Sequence, residues 1–244
     1  ACLVGSEMCI RDRGAAVITA QYWGKKDIET IEKVLGISMR IGLIVGVLFF
    51  AAAQLMPTTL MKIFTSEPII IEEGVRYLRI VSWSYPLAAA AVVYLNIMRS
   101  VERVIISTLV YSISLVINVI FNAIFIFGLG PAPTMGVAGA ACATVIAHVV
   151  EFGIVVFYIL RINHSVFFRL KNLFIREKAL MKDFKVYALP VILNELAWGT
   201  GISAIAAIIG HLGSAAVAAN SITQVTRPVS YTHLRAHETG RNLV

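Results

Sequence analysis

The sequence predicts an all-α, polytopic membrane helix bundle. Mean hydropathy is +0.81 and 58% of residues are hydrophobic, against ~45–50% in soluble domains. The apolar residues come in long blocks. Val104 to Val150 holds no Asp, Glu, Lys or Arg, and Val186 to Thr226 holds only Glu195. Blocks of ~20 apolar residues cross a ~30 Å hydrocarbon core as helices. Barrel strands would alternate apolar and polar, and these blocks do not.

Each element follows from where the blocks break. A partial helix ends near Trp23, before "GKKD" at Gly24–Asp27. Full spans are expected at about 34–56, 75–98, 105–127, 137–160 and 186–209, with a last helix starting near Ser214. Pro57 ends the first of these. The Gly- and Pro-rich "GLGPAPTMG", Gly128–Gly136, splits the long uncharged block into two helices. Pro86 and Pro190 are expected to kink or to start helices.

The loops then alternate in charge. Thirteen basic residues lie on one side, in 25–40, 99–103 and 161–185, against Lys62, Arg76 and Arg79 on the other. By the positive-inside rule the first side is cytoplasmic. The formal charge of +7 therefore belongs to span ends, and a nucleic-acid partner is not expected. The longest polar stretch, 161–185, interleaves Phe167, Phe168, Leu170, Leu173 and Phe174 with Arg and Lys. It reads as a solvated linker, or as a helix on the anionic inner leaflet.

The chain ends stand apart. One legal coding of "LVGSEMCIRD", Leu3–Asp12, has a reverse complement that translates as "VSYTHLRAHE", Val229–Glu238. Ten codons pair with ten, which marks both stretches as translated sequencing-adapter DNA. Residues 1–13 and 229–244 are therefore set aside as scars, and His233 and His237 lose any claim to metal chemistry. Cys2 and Cys9 go with them. Cys142 is left for packing, so a disulfide framework is excluded.

Several motifs line up in order: "AQYWGKKD" at 20–27, "VRYLRI" at 75–80, "NVIFNAIFIFGLG" at 118–130, "GVAGAACATV" at 136–145, "ALPVILNE" at 188–195 and "GHLGSAAVAANS" at 210–221. Together they resemble the multidrug and toxic compound extrusion (MATE) family of cation-coupled exporters. The resemblance implies twelve helices in two six-helix lobes. On it, 14–160 is a partial first lobe from the end of helix 2 to helix 6. Residues 161–185 are the cytoplasmic linker between lobes, and 186–228 carry helix 7 and the start of helix 8. The chain is then a fragment that is not expected to transport alone.

Polar groups inside spans are costly without partners. Asn118 and Asn122, four apart, share one helix face, and Thr144 follows on the next helix. Two readings stand side by side: ordinary interhelical hydrogen bonding, or coordination of a cation. The resemblance supports the second, since matching family positions form a first-lobe Na⁺ or proton site. Family members often carry Asp where this chain has Asn122. Glu195 lies about ten residues, roughly 15 Å, into its predicted span. An acid near the bilayer middle needs a proton or a cation partner, as an antiporter requires. The resemblance places it at the helix-7 acid of the family. Glu151 is expected at the cytoplasmic interface, and His148 and His211, near helix ends, are not expected to ligate.

The leading function is a secondary active antiporter of the cell membrane. It would export small organic cations in exchange for Na⁺ or H⁺, need no cofactor, work among membrane lipids, and be monomeric when complete. No phosphate-binding loop and no converging catalytic set appears, so it is not expected to be an enzyme. The alternatives are a lipid-linked oligosaccharide flippase of a related branch and a non-transporting membrane scaffold subunit.

Overall fold

The computed structural model describes residues 18–128, 134–163, 172–173 and 178–224; among 178–197, the side chains at 178, 179, 181, 183–185, 187, 188 and 195 lie outside the description. The two chain ends read as scars lie outside it too. The described residues form helices and turns, with no strand among them. They are α1 (18–24), α2 (Ile28–Leu55), α3 (Pro57–Phe64), α4 (Pro68–Val81), α5 (Tyr85–Ser100), α6 (Val104–Phe127), α7 (Gly136–Arg161), α8 (Lys178–His211) and α9 (214–224). Five stretches are long and apolar enough to cross a membrane: Ile28–Leu55, Pro68–Ser100, Val104–Phe127, Gly136–Arg161 and Leu189–His211. Every expected span is present.

The second predicted span lengthens to Pro68–Ser100 because α4 runs into α5 through a 3₁₀ turn, Ser82–Ser84. Ser84 Oγ donates to the Val81 carbonyl at 2.7 Å. Gln54 Nε2 donates to the Arg79 carbonyl and to Ser82 Oγ, both at 2.9 Å. The turn is thus satisfied by its own serines and by α2, as buried backbone requires. Pro86 stands in the first turn of α5, where its missing N–H costs nothing, so it starts a helix. Pro190 lies inside α8.

The loop expected over 57–74 is largely helical. Pro57 and Pro68 each open a helix. α3 and α4 pack as a short hairpin, with Met61 against Gly74.

At the core, α5 packs on α2, α6 and α7. Ala88 to Ala91, Val93, Tyr94, Leu95, Ile97 and Met98 are buried. Small residues let helix backbones approach closely, which replaces the hydrophobic drive that lipid removes. Ser107 Oγ donates to the Leu95 carbonyl at 2.8 Å and ties α6 to α5. α6 and α7 form the most extensive antiparallel pair. Gly128 ends α6 with φ 68°, a left-handed conformation that glycine adopts freely.

Part of the linker does not behave as expected. Asn172 is buried, and Leu173 packs against the core cluster around Tyr94 and Met98. A Cβ on Gly36 would stand 2.5 Å from the Asn172 carbonyl oxygen. Here the chain lies on the bundle, not in solvent or on a leaflet; Phe167, Phe168, Leu170 and Phe174 lie outside the described residues. α8 begins at Lys178, inside the expected linker, and Leu180 seats it on Ile18, Val34 and Ile37.

The loop alternation holds in space. Tyr22, Trp23, Ile28, Met98, Val101, Tyr158 and Leu173 share one cluster at one end of the bundle. At the other end, His211 bonds Ser66 Oγ at 2.9 Å and the Ile63 carbonyl at 3.2 Å. The Ser214 amide donates to Glu67 Oε1 at 3.1 Å.

Candidate functional site

The polar groups of the bundle gather on the α6–α7 pair. Asn122 Nδ2 donates to Asn118 Oδ1 at 2.8 Å. Asn118 Nδ2 reaches Thr144 Oγ1 at 3.5 Å, and Thr144 Oγ1 donates to the Ala140 carbonyl at 2.9 Å. The structure thus brings together three of the four residues singled out in the sequence. All three are half-buried. Their position follows from spacing: 118 and 122 are one turn apart on α6, and Gly139, where a Cβ would stand 2.8 Å from the Phe125 carbonyl oxygen, lets α7 come close enough for a short hydroxyl to meet them.

The chemistry of this set is oxygen-rich and neutral. Two amides, one hydroxyl and a helix carbonyl suit a hard monovalent cation better than a transition metal. None of the three side chains titrates, so the set by itself cannot bind and release a proton. Among the described residues no group of three His, Cys, Asp or Glu converges as a metal site.

Glu195 stands apart from this set. It lies near the middle of α8, 17 residues from Lys178 and 16 from His211. Its side chain is outside the described residues. Because α8 starts earlier than expected, Glu195 is about 25 Å from either helix end; within the apolar stretch Leu189–His211 it stands six residues, about 9 Å, from the nearer end, less deep than the ~15 Å taken from the sequence.

Glu151 departs from its expected place. It is 3% exposed, inside the bundle and not at the interface. Its Oε2 meets His148 Nδ1 at 3.1 Å and accepts from Ser114 Oγ at 3.4 Å. His148 is a mid-helix residue of α7 and not a terminal one. His211 does sit at a helix end, as expected. The sequence signal for the Glu151 site is a pair of stripes: 114, 118 and 122 on α6, and 144, 148 and 151 on α7. Each stripe keeps helical spacing, and the two face each other only once the helices are paired.

A chain of long apolar helices, folded as an antiparallel bundle with a polar seam buried between two of them, has the build of a membrane transporter lobe. The comparisons with known proteins agree. The MatE family model matches residues 12–124. The chain is 22% identical over 231 residues to the probable multidrug resistance protein YoeA of Bacillus subtilis, covering 93% of this chain and 49% of that protein. It is 27% identical over 219 residues to the multidrug export protein MepA of Staphylococcus saprophyticus, covering 86% and 46%. Its fold matches the MATE multidrug transporter DinF-BH with TM-score 0.79 at 21% identity, over 92% of this chain and 50% of that one. An inward-facing MATE transporter of the MOP superfamily matches with TM-score 0.70 at 22% identity, over 81% and 44%. The chain thus resembles MATE-family transporters in sequence and fold and is a multi-pass membrane protein. It spans about half the length of the curated relatives just described.

Proposed function

We propose that this chain is the first-lobe half of a secondary active exporter. It moves small organic compounds, cationic ones above all, out of the cell in exchange for Na⁺ or H⁺. The observation that carries the reading is the half-buried Asn118–Asn122–Thr144 set on α6 and α7. Uncompensated polar groups at membrane depth are costly, and an oxygen cluster inside a transporter lobe is the chemistry a coupling ion needs. The multidrug names of the relatives support the substrate class.

On this reading Glu195 is the acid of the second lobe. A carboxylate in mid-helix, with a proline five residues before it, lies where substrate and coupling ion would compete. Pro190 leaves the Val186 carbonyl without its helical donor, which gives the continuous α8 a point at which it can bend near the start of its apolar stretch. In MATE proteins the two lobes repeat about an axis along the membrane normal, so a complete site needs both lobes. This chain alone is then inactive.

The test is efflux from proteoliposomes containing the two-lobed protein, driven by an imposed Na⁺ or pH gradient. Asn118→Ala and Thr144→Ala should weaken Na⁺-driven efflux by roughly 5–150-fold, the usual range of coupling energies, while leaving insertion normal. Unchanged Na⁺ dependence in both variants refutes a coupling role for the set and leaves it as interhelical hydrogen bonding.

A further inference from the structure

The geometry points to a proton-binding site at Ser114, His148 and Glu151, separate from the neutral oxygen cluster. Glu151 is buried with its Oε1 oxygen unpartnered, while its Oε2 takes both the His148 and Ser114 contacts. Ser114 Oγ is also 3.4 Å from the Ala147 carbonyl, so its one proton is divided between two acceptors. A carboxylate buried with half its accepting capacity empty is costly. Adding one proton to the pair removes that cost. It places a neutral acid beside a neutral imidazole, or an imidazolium beside a carboxylate. The two forms differ only by transfer across the 3.1 Å contact, and the pair is neutral in both. Releasing the proton leaves a single negative charge.

A proton suits this site better than a metal cation. Oε1 is open, but with one serine hydroxyl and one carbonyl it makes too few oxygen ligands for Na⁺, and the imidazole already takes Oε2. The pair also has a way out. Glu151's side chain is 4% exposed, but that of His148 is 32% exposed, so the imidazole connects the buried acid to the outside of the described bundle. Histidine titrates close to physiological pH and serves as a proton shuttle.

Nothing else charged contacts the pair among the described residues. α7 packs on α4, α5, α6 and the 3₁₀ turn. α6 contributes Tyr111, whose ring lies under Arg99 of α5 at 5.7 Å. α5 also contributes Tyr85 and Tyr94. Tyr94 pairs with Tyr158 of α7 at 6.4 Å and accepts from Asn163 at 2.7 Å. α4 contributes Tyr77, Glu72, Glu73, Arg76 and Arg79, with Arg76 held by Glu73 at 3.3 Å. The 3₁₀ turn contributes none, and Cys142 and Arg161 complete α7. The state of the pair is therefore set by its own three residues. One turn further along the same seam stand Asn118 and Thr144, which do not titrate, so the seam carries one proton site and one neutral site.

The test reads the histidine directly and needs no transport. The intact protein is labelled with ¹⁵N-histidine in lipid bilayers, and its imidazole signals are followed from roughly pH 5 to 8, the range in which histidine changes charge. His148→Gln assigns the signal. In the unaltered protein the His148 signal should change with pH, because the proton shared with Glu151 leaves the pair and alters what the imidazole is bonded to. In Glu151→Gln that response should change, because the carboxylate that shares the proton is gone. In Ser114→Ala it should change as well, because the carboxylate loses a hydrogen-bond donor. A His148 signal that stays the same at every pH overturns the proposal. So does a response that neither variant alters. If Glu151→Gln fails to fold, the Ser114→Ala response decides.

Discussion

α5 and α8 are both apolar, and they could hardly be treated more differently. α5 buries nearly every side chain from Ala88 to Met98. α8 leaves Leu189, Leu193, Leu196, Trp198, Ile205 and Ile208 half or more exposed. It is held at its two ends, by Leu180 on α1 and α2 and by His211 on the α3–α4 turn. Hydropathy alone does not separate the two cases. Nor does residue size, since α8 carries Ala197, Gly199, Gly201, Ala204, Ala206 and Ala207 beside its large side chains; partners do, because α5 packs on α2, α6 and α7 while α8 rests mainly on α3. α5 is the inside of a lobe. α8 presents surface, to lipid or to a second lobe.

The largest effect should come from breaking the packed side of this comparison. Tyr94→Ala removes a fully buried ring and the hydroxyl that accepts from Asn163. It should cost about 3–5 kcal/mol in unfolding from detergent or bilayer. Leu193→Ala on α8 should change stability by less than about 0.5 kcal/mol by the same measurement. Comparable costs for both would mean that α8 is packed within this chain as tightly as α5.

Next comes the pinned end of α8. A Cβ at Gly210 would run into the Phe64 carbonyl, so Gly210→Leu must push α8 off α3. A loss of about 1–3 kcal/mol is expected from such overpacking, with faster hydrogen exchange in 57–67. Tolerance of leucine there would show that α8 does not rest on α3.

The smallest effect lies at the start of α2. Asp27 accepts from the Thr30 amide at 3.1 Å and from its hydroxyl at 2.6 Å, an N-cap that places Glu29 in the first turn. Asp27→Ala should cost about 1 kcal/mol. The hydrogen bonds of the Thr30 side chain and then of its backbone hold the Asp27 carboxyl below its usual range, with smaller help from Lys33 and Lys25. A depressed carboxyl stabilises the fold at all pH values above its unfolded value, ~3.9. That contribution is lost as pH falls through the folded value. The difference between Asp27→Ala and the unaltered protein should therefore shrink only under acid conditions. A difference that persists below both values would contradict the cap.

Most of the span pattern was legible because charge is expensive in lipid. The blocks 104–150 and 186–226 could hardly be anything but helices in a membrane, and the basic loops gave the order of ends. What escaped was short or paired. α3 is eight residues long in a segment polar enough to pass for a loop. The Ser82–Ser84 turn depends on Gln54 from another helix. Asn118, Asn122 and Thr144 were found because a single-helix spacing and a next-helix motif suffice to suggest them. Glu151 was placed at the interface because its distance from Arg161 was counted along one helix. Its burial comes from Ser114 on α6 and from the neighbouring helices, which one helix does not show. Leu173 misled in the opposite direction, since an aromatic and basic stretch looks alike on a leaflet and on a protein.

The central claim is that α8 carries the acid through which ion and substrate exchange. Glu195→Gln in the two-lobed protein tests it most directly, once normal insertion has been checked. Gradient-driven efflux from proteoliposomes should fall by roughly 5–150-fold, as loss of one coupling interaction implies, and Glu195→Asp should recover part of it. Undiminished efflux in Glu195→Gln that still follows the imposed Na⁺ or pH gradient would contradict the account.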